Sequence, residues 1–310
     1  MVRAIPFMHA AGRRDYAKVG RLIATGTNVN SADPSGVTAL HYAVKKNDTR
    51  MVTILLQAHA NPNVRTGWGE TPLLNAIRNA NSYLITALLD AGADVNTGNA
   101  FNETALGLAI SARNQSLVKM LLDNGAAVTP SQGTSPLIHA IRATASIEMV
   151  KMLLDAGANI NDTCIITELK AFALAASYSR ISLLDLFLSR GADINCTDST
   201  GDTALHRASR HNISEVVKYL LKTGADIHRV NLKGETPLSI GNKLVVRHAA
   251  KSQVREIALA LRHTLPIHPL LAVTNVIVGK ALSRGEQDRI LRVVPVPRYT
   301  RFGLGHHYSS

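Results

Sequence analysis

The stretch running from Gly69-Glu70-Thr71-Pro72-Leu73 to Gly92-Ala93-Asp94-Val95-Asn96 decides the fold. It reads as a turn, a short helical segment over residues 73–77, a second over 83–89, and a closing Gly-Ala-Asp turn. Neither segment is long enough, or apolar enough on one face, to hold a helix in water by itself. Such a unit gains stability only by stacking on copies of itself.

The copies are there. The position that opens the first helix recurs at Thr38, Thr71, Thr104, Ser135, Lys170, Thr203 and Thr236, six steps averaging 33 residues. The apolar pair of the second helix recurs with the same period, as in Leu55-Leu56, Leu88-Leu89, Leu121-Leu122 and Leu220-Leu221. Over roughly residues 5–264 the chain resembles the ankyrin-repeat family, whose repeat is about 33 residues with a T-P-L-H-x-A signature. The resemblance implies an all-α solenoid of about eight helix-turn-helix repeats joined by hairpin loops.

Each signature residue has a physical reason. Thr38, Thr71, Thr104, Thr203 and Thr236 are placed to cap helix amides. Pro72 and Pro237 follow at the first helical position, where no amide is missed. Ala43, Ala76, Ala109, Ala140, Ala175 and Ala208 are small enough for neighbouring helices to approach closely. Gly26, Gly92, Gly125, Gly157, Gly191 and Gly224 stand just past the second helix, where a left-handed turn suits glycine; His59 replaces that glycine in one repeat. Pro6-Phe7-Met8-His9-Ala10-Ala11 is a degenerate first copy, as expected where an end face meets water. The fifth copy carries an extra residue near Ala143-Thr144-Ala145-Ser146. The sixth, from Ile165 to Ala175, lacks both the hairpin glycine and the capping Thr.

A hydrophobic content of 46% is ample for a core, and 4% aromatics suits helices packed through Ala and Leu. Cys164 and Cys196 are expected as free thiols in a reducing compartment, a bridge between them being the alternative. The opening Met1-Val2-Arg3-Ala4-Ile5-Pro6 is expected to lead into a helix rather than form a signal peptide. No apolar run approaches the roughly 18 residues of a membrane span, so no membrane partner is expected. The compartment expected is the cytoplasm, with the nucleus as the alternative. The formal net charge is +12. Residues 243–310 concentrate eleven Lys/Arg against Glu256, Glu286 and Asp288, a basic tail without the aromatic interleaving of a nucleic-acid module.

Residues at equivalent repeat positions line up along a stack. Two places after the signature Ala stand Lys45, Arg78, Arg142 and Arg210, interrupted by Ser111 and Ser177. Cations at helix C-termini are favoured by the macrodipole; the alternative is a column that meets an acidic target protein, since ankyrin stacks typically bind through this concave face and the hairpin tips. Trp68, the one tryptophan, lies between Gly67 and Gly69 at a hairpin tip. Tryptophan is enriched at binding hot spots, and local packing on the neighbouring finger is the competing role. Phe101, one repeat later, is placed to join it.

His9, His41 and His206 recur at the signature position, with His139 one place later, and are read as structural hydrogen-bonding groups. No Cys/His set has zinc-ligand spacing, and no G-x-S-x-G, P-loop or dinucleotide fingerprint occurs. Asp94, Asp193 and Asp226 belong to the Gly-Ala-Asp turn. The sequence is not expected to be an enzyme, and no cofactor or metal is expected.

Residues 265–310 break the period and form an expected second module after an ankyrin domain over 1–264. Leu265-Pro266-Ile267-His268-Pro269 ends the preceding helix. Residues 270–282 read as an apolar helix, a strand being the runner-up, and a second short helix over 287–293 precedes Val294-Pro295-Val296-Pro297. In that order the tail resembles a SOCS box, found after ankyrin repeats in a family of ubiquitin-ligase substrate receptors. The resemblance implies that Leu270, Val273, Thr274 and Val278 contact elongin C of the elongin B–elongin C adaptor. It also implies that Val294, Pro295, Val296 and Pro297, matching L-P-x-P, select the cullin of a cullin–RING scaffold. Thr274 departs from the usual Cys, Thr300 stands where Leu is common, and Phe302 is one place from the usual Tyr. The competing reading is an irregular cap that folds back on the eighth repeat, leaving an ankyrin scaffold or inhibitor.

Overall fold

The computed structural model describes residues 4–129 and 134–240. Among the described residues are fifteen α-helices and no strand. The first fourteen come in pairs, each pair one repeat, the fifteenth having no second helix among the described residues, and the chain divides into two compact units, residues 1–171 and 172–310.

The first unit holds α1 (Ala4–Gly12) and α2 (Tyr16–Ala24), α3 (Ala39–Lys45) and α4 (Thr49–Gln57), α5 (Pro72–Arg78) and α6 (Ser82–Asp90), α7 (Ala105–Ser111) and α8 (Gln115–Asp123), and α9 (Pro136–Arg142) and α10 (Ile147–Asp155). The first helices of successive pairs pack in a row, α1 on α3, α3 on α5, α5 on α7 and α7 on α9. Ala43, Ala76, Ala109 and Ala140 are fully buried in that row, which is why the position admits nothing larger. The second helices bury one face at i, i+1 and i+4, as with Met51, Val52 and Leu55 or Leu84, Ile85 and Leu88, the stripe of an amphipathic helix on a core.

Side-chain caps start these short helices. The Thr71 hydroxyl accepts from the Leu74 amide at 3.3 Å and that of Thr104 from the Gly107 amide at 3.1 Å. The second helices are capped by Asp15, Asp48, Asn81, Asn114 and Ser146. Past each second helix the chain turns left-handed: φ is 76° at Gly26, 83° at Gly92 and 61° at His59, so the residue replacing glycine adopts the glycine conformation.

Two further ladders run between repeats. The finger (the hairpin turn ahead of each first helix) bonds to the preceding finger, Gly67 N–H to Ser35 O at 2.7 Å and Ala100 N–H to Trp68 O at 2.9 Å. A Cβ on Gly36, which has φ 77°, would lie 2.9 Å from Arg65 O, so this approach requires glycine. At the other edge, Asn30, Asn63 and Asn96 accept from the amides of Asn61, Asp94 and Ala127, each at 2.7 Å.

The second unit contains α11 (Ala171–Ser177, whose first residue closes the first unit), α12 (Ile181–Ser189), α13 (Ala204–Arg210), α14 (Ser214–Lys222) and α15 (Pro237–Ile240). It repeats the same devices: Thr203 caps α13, Asn195 accepts from the Asp226 amide at 2.8 Å, and Leu232 N–H bonds Thr200 O at 3.0 Å. The sixth repeat, without finger glycine or capping Thr, closes its loop through an isolated bridge between Thr163 and Lys170 in the first unit. Cys164 and Cys196 are both buried and neither is in a disulfide. No helix of the described residues is long and apolar enough to cross a membrane. The second helix expected for the eighth repeat, the cap ending near Thr264 and the whole 265–310 module lie outside the described residues.

Candidate functional site

Trp68 sits in a turn closed by Thr66 N–H on Glu70 O at 3.0 Å and Gly69 N–H on Thr66 O at 2.8 Å. Phe101 sits in the matching turn one repeat on, where the Asn99 side-chain oxygen accepts from the Phe101 and Glu103 amides at 2.9 and 3.0 Å. The bond from Ala100 to Trp68 O ties the two turns together. Their rings stack with centroids 6.2 Å apart and planes 9° from parallel. They are nonetheless 69% and 68% exposed. Trp68 thus packs on the neighbouring finger and still leaves most of its surface in water.

Behind this platform lies a charged cluster. Arg78 donates to Glu70 at 2.5 Å and to Glu103 at 2.7 Å. The Asn99 amide donates to both carboxylates at 2.7 Å. Burial alone would push the Glu70 carboxyl up, but the bonds from Arg78 and Asn99 outweigh it and hold the group below the usual carboxylate range. Four repeats later the second unit builds the same cluster. Arg210 pairs with Asp202 and, at 3.8 Å, with Glu235, while Asn231 donates to them at 2.7 and 3.0 Å. Arg207 adds a pair with Asp198 at 2.5 Å.

The cation column thus divides. Arg78 and Arg210 are held by carboxylates of their own finger and the next. Lys45 and Arg142 are exposed and make no ion pair among the described residues. Sequence reasoning missed the partners, although an acid directly ahead of the helix-opening Thr (Glu70, Glu103, Asp202, Glu235) was the signal. It also passed over the asparagine ladder, marked by Asn30, Asn63 and Asn96 at one period.

His41 and His206 are structural. His41 bonds Thr38 through Nδ1 and Glu70 O through Nε2 at 3.2 Å; His206 does the same with Thr203 and Glu235 O at 3.1 Å. Asp94, Asp193 and Asp226 each accept the amide two residues on, at 2.8–2.9 Å. No group of three His, Cys, Asp or Glu among the described residues is placed to hold a metal ion. The adaptor residues Leu270, Val273, Thr274 and Val278 and the cullin residues Val294, Pro295, Val296 and Pro297 lie outside the described residues.

A family model described as ankyrin repeats (3 copies) matches residues 7–99, 83–164 and 171–244. The chain belongs to the ankyrin-repeat family. The ankyrin repeat domain of Bcl-3, a member of the IkappaB protein family, superposes with a TM-score of 0.60 at 27% identity, covering 68% of this chain and 97% of that one. Among curated relatives, an L-asparaginase of Dirofilaria immitis is 33% identical over 128 residues, 41% of this chain and 20% of its own. The B-cell lymphoma 3 protein homolog of Mus musculus is 30% identical over 103 residues, 33% of this chain and 23% of its own. The chain therefore spans less than a quarter of these relatives' length. Ankyrin repeats of this kind are typical of non-enzymatic protein-interaction domains, and this stack is accordingly a protein-binding one.

Proposed function

We propose that this chain is the substrate-recognition subunit of a cullin–RING ubiquitin ligase that works through elongin B and elongin C. The observation that carries the reading is the ordered pattern after the last repeat: Leu270, Val273, Thr274 and Val278 at helical spacing, then Val294-Pro295-Val296-Pro297. In this reading residues 1–264 hold a target protein and residues 265–310 hold the adaptor and the cullin, in the cytoplasm. The contribution to ubiquitin transfer is proximity, which makes a two-body encounter intramolecular. The target side supports it with the exposed Trp68–Phe101 platform and the unpaired Lys45 and Arg142, which suit an acidic partner.

The second reading, an ankyrin scaffold or inhibitor with no ligase role, is favoured by Thr274, which stands where the family carries Cys. Titration of the full chain with purified elongin B–elongin C separates the two. Leu270→Asp removes the apolar anchor, worth about 1.5–3 kcal/mol, and places a charge in the contact. Adaptor affinity should fall by about two decades with the melting temperature of the repeats unchanged. No adaptor binding by the parent, together with a loss of stability in the mutant, would end the ligase reading.

A further inference from the structure

The repeat opened by Thr104 departs from its own pattern twice. Gly107 stands where His41 and His206 stand, and the step from Thr104 to Ser135 is 31 residues rather than 33. In the repeats opened by Thr38, Thr71 and Ser135 that position carries a buried side chain: His41 (which reaches Glu70 O), Leu74 and Ile138. Gly107 has nothing to place there. A Cβ added to it would meet Thr104 Oγ1 at 3.2 Å and the His139 ring only at 3.8 Å. The result is a cavity of about 630 Å³, lined by Phe101, Leu106, Gly107, Leu108, Pro136 and His139 among others.

Phe101 belongs to two features, stacking on Trp68 and lining the cavity, so platform and cavity adjoin. The His139 ring is half-buried; Nε2 bonds Ser111 Oγ at 2.9 Å, and Nδ1 makes no hydrogen bond among the described residues. Burial, reinforced by Arg142, holds that imidazole below its ordinary pKa, hence neutral at pH 7. Glu103 also lines the cavity, but Arg78 and Asn99 occupy its carboxylate. Arg142, three residues after His139 on α9, is exposed and unpaired among the described residues. The volume falls among pockets of about 300–1,000 Å³, enough for a side chain with adjoining backbone.

We propose that this cavity is the anchor site for the bound target: it takes one apolar side chain of an extended acidic segment, whose carboxylates meet Arg142 while a flanking residue lies on the Trp68–Phe101 platform. The occupant is acidic because the unpaired charge beside the cavity is positive and the nearest carboxylate is already neutralised. This deepens the target-binding half of the receptor reading and owes nothing to the adaptor half.

The test selects random peptides displayed on phage against the full chain, then titrates the enriched peptides, labelled with a fluorophore, by anisotropy. They should share an aromatic or branched aliphatic residue next to Asp or Glu. Gly107→Leu, filling the cavity with the side chain Leu74 carries one repeat earlier, should weaken them by about tenfold or more, whereas Gly107→Ala should change affinity by less than about twofold. Arg142→Glu should weaken them by about tenfold as well. Phe101→Ala keeps the test open should Gly107→Leu unfold, because Phe101 is largely exposed and its loss leaves the repeats folded; it too should weaken binding. No enrichment, enrichment of basic peptides, or affinities indifferent to both Gly107→Leu and Phe101→Ala would overturn the proposal. Elongin B–elongin C binding is read on the same preparation, so its absence strikes the ligase reading and leaves the peptide result standing.

Discussion

Two repeats of the first unit share a frame and treat it oppositely. The one opened by Thr38 sends His41 across to Glu70 O and locks its cap in the same side chain. The one opened by Thr104 has Gly107 at that place and leaves a cavity. Both hold their position, because bonds that do not use this position tie them to their neighbours: the finger bonds and the asparagine ladder up to the repeat opened by Thr104, and Ser111–His139 and Arg113–Thr144 from that repeat to the next. Redundant ties allow a single repeat to give up a side chain and open a space. What no repeat of the first unit gives up is the buried alanine, because no second contact replaces it.

That contrast predicts the largest effect at Ala76. Ala76→Asp puts a charge between packed helices, at a site with no exposure and no counter-ion. An unpaired buried charge costs several kcal/mol, enough to unfold the middle of a stack held only by neighbours. Urea unfolding followed by circular dichroism measures it, and an unchanged midpoint would mean that the repeat register is misassigned.

His41→Gly converts the first repeat into the second and so attacks the comparison itself. It deletes a buried ring, two hydrogen bonds and helix propensity, for a loss of about 3 kcal/mol. A cost below about 1 kcal/mol would show the histidine contact to be dispensable everywhere, and Gly107 would then be unremarkable. The difference in unfolding free energy between parent and variant decides it.

A smaller effect belongs to the ionic clusters. Burial alone would raise the Asp202 carboxyl, but bonds from Arg210 and Asn231 and the Arg210 charge bring it below the ordinary range. A folded-state pKa below the unfolded one gives stability that is present above the unfolded value, about 3.9, and is lost as pH falls through the folded one. Stability of the parent should therefore decline as the pH drops from about 5. Arg210→Ala should cost about 1–3 kcal/mol at neutral pH and flatten that decline. If the acid limb of the variant is as steep as the parent's, the cluster is not its source.

The period carried most of the fold. Caps at Thr38, Thr71, Thr104, Ser135 and Thr203, buried alanines and left-handed glycines all stand where a 33-residue repeat places them, and even His59 adopts the glycine conformation. The Trp68–Phe101 pair was legible for the same reason, since equal turn positions one period apart must be neighbours. Two features were not. The carboxylates around Arg78 and Arg210 come partly from the following finger, Glu103 and Glu235, so a reading one helix at a time assigns those cations to the helix dipole. The cavity at Gly107 is an absent side chain, and absence leaves no mark in an apolar pattern; only setting T-A-L-G-L-A at 104–109 against T-P-L-H-x-A exposes it.

The smallest prediction tests whether Gly107 is a site or a flaw. It is the third residue of α7, at a φ any residue accepts, so Gly107→Ala removes the entropy cost of a helical glycine, about 0.5–1 kcal/mol. Against this, the new Cβ would lie 3.2 Å from Thr104 Oγ1, the atom that caps the Gly107 amide at 3.1 Å. The other repeats show how that crowding is met. Where the position carries a Cβ, the same cap bond is 3.5 Å at Thr38, 3.3 Å at Thr71 and 3.3 Å at Thr203, a retreat of a few tenths of an ångström that costs only part of one hydrogen bond. The balance favours alanine by about 0.5 kcal/mol, a rise in melting temperature of about 1–2 °C. A stabler Gly107→Ala protein means that packing does not demand glycine here, and that what opens the space is the want of a longer side chain such as His41 or Leu74 rather than strain. A lower melting temperature means that Thr104 cannot retreat; the glycine then has a packing reason of its own, and the contrast between the two repeats is one of strain rather than of function.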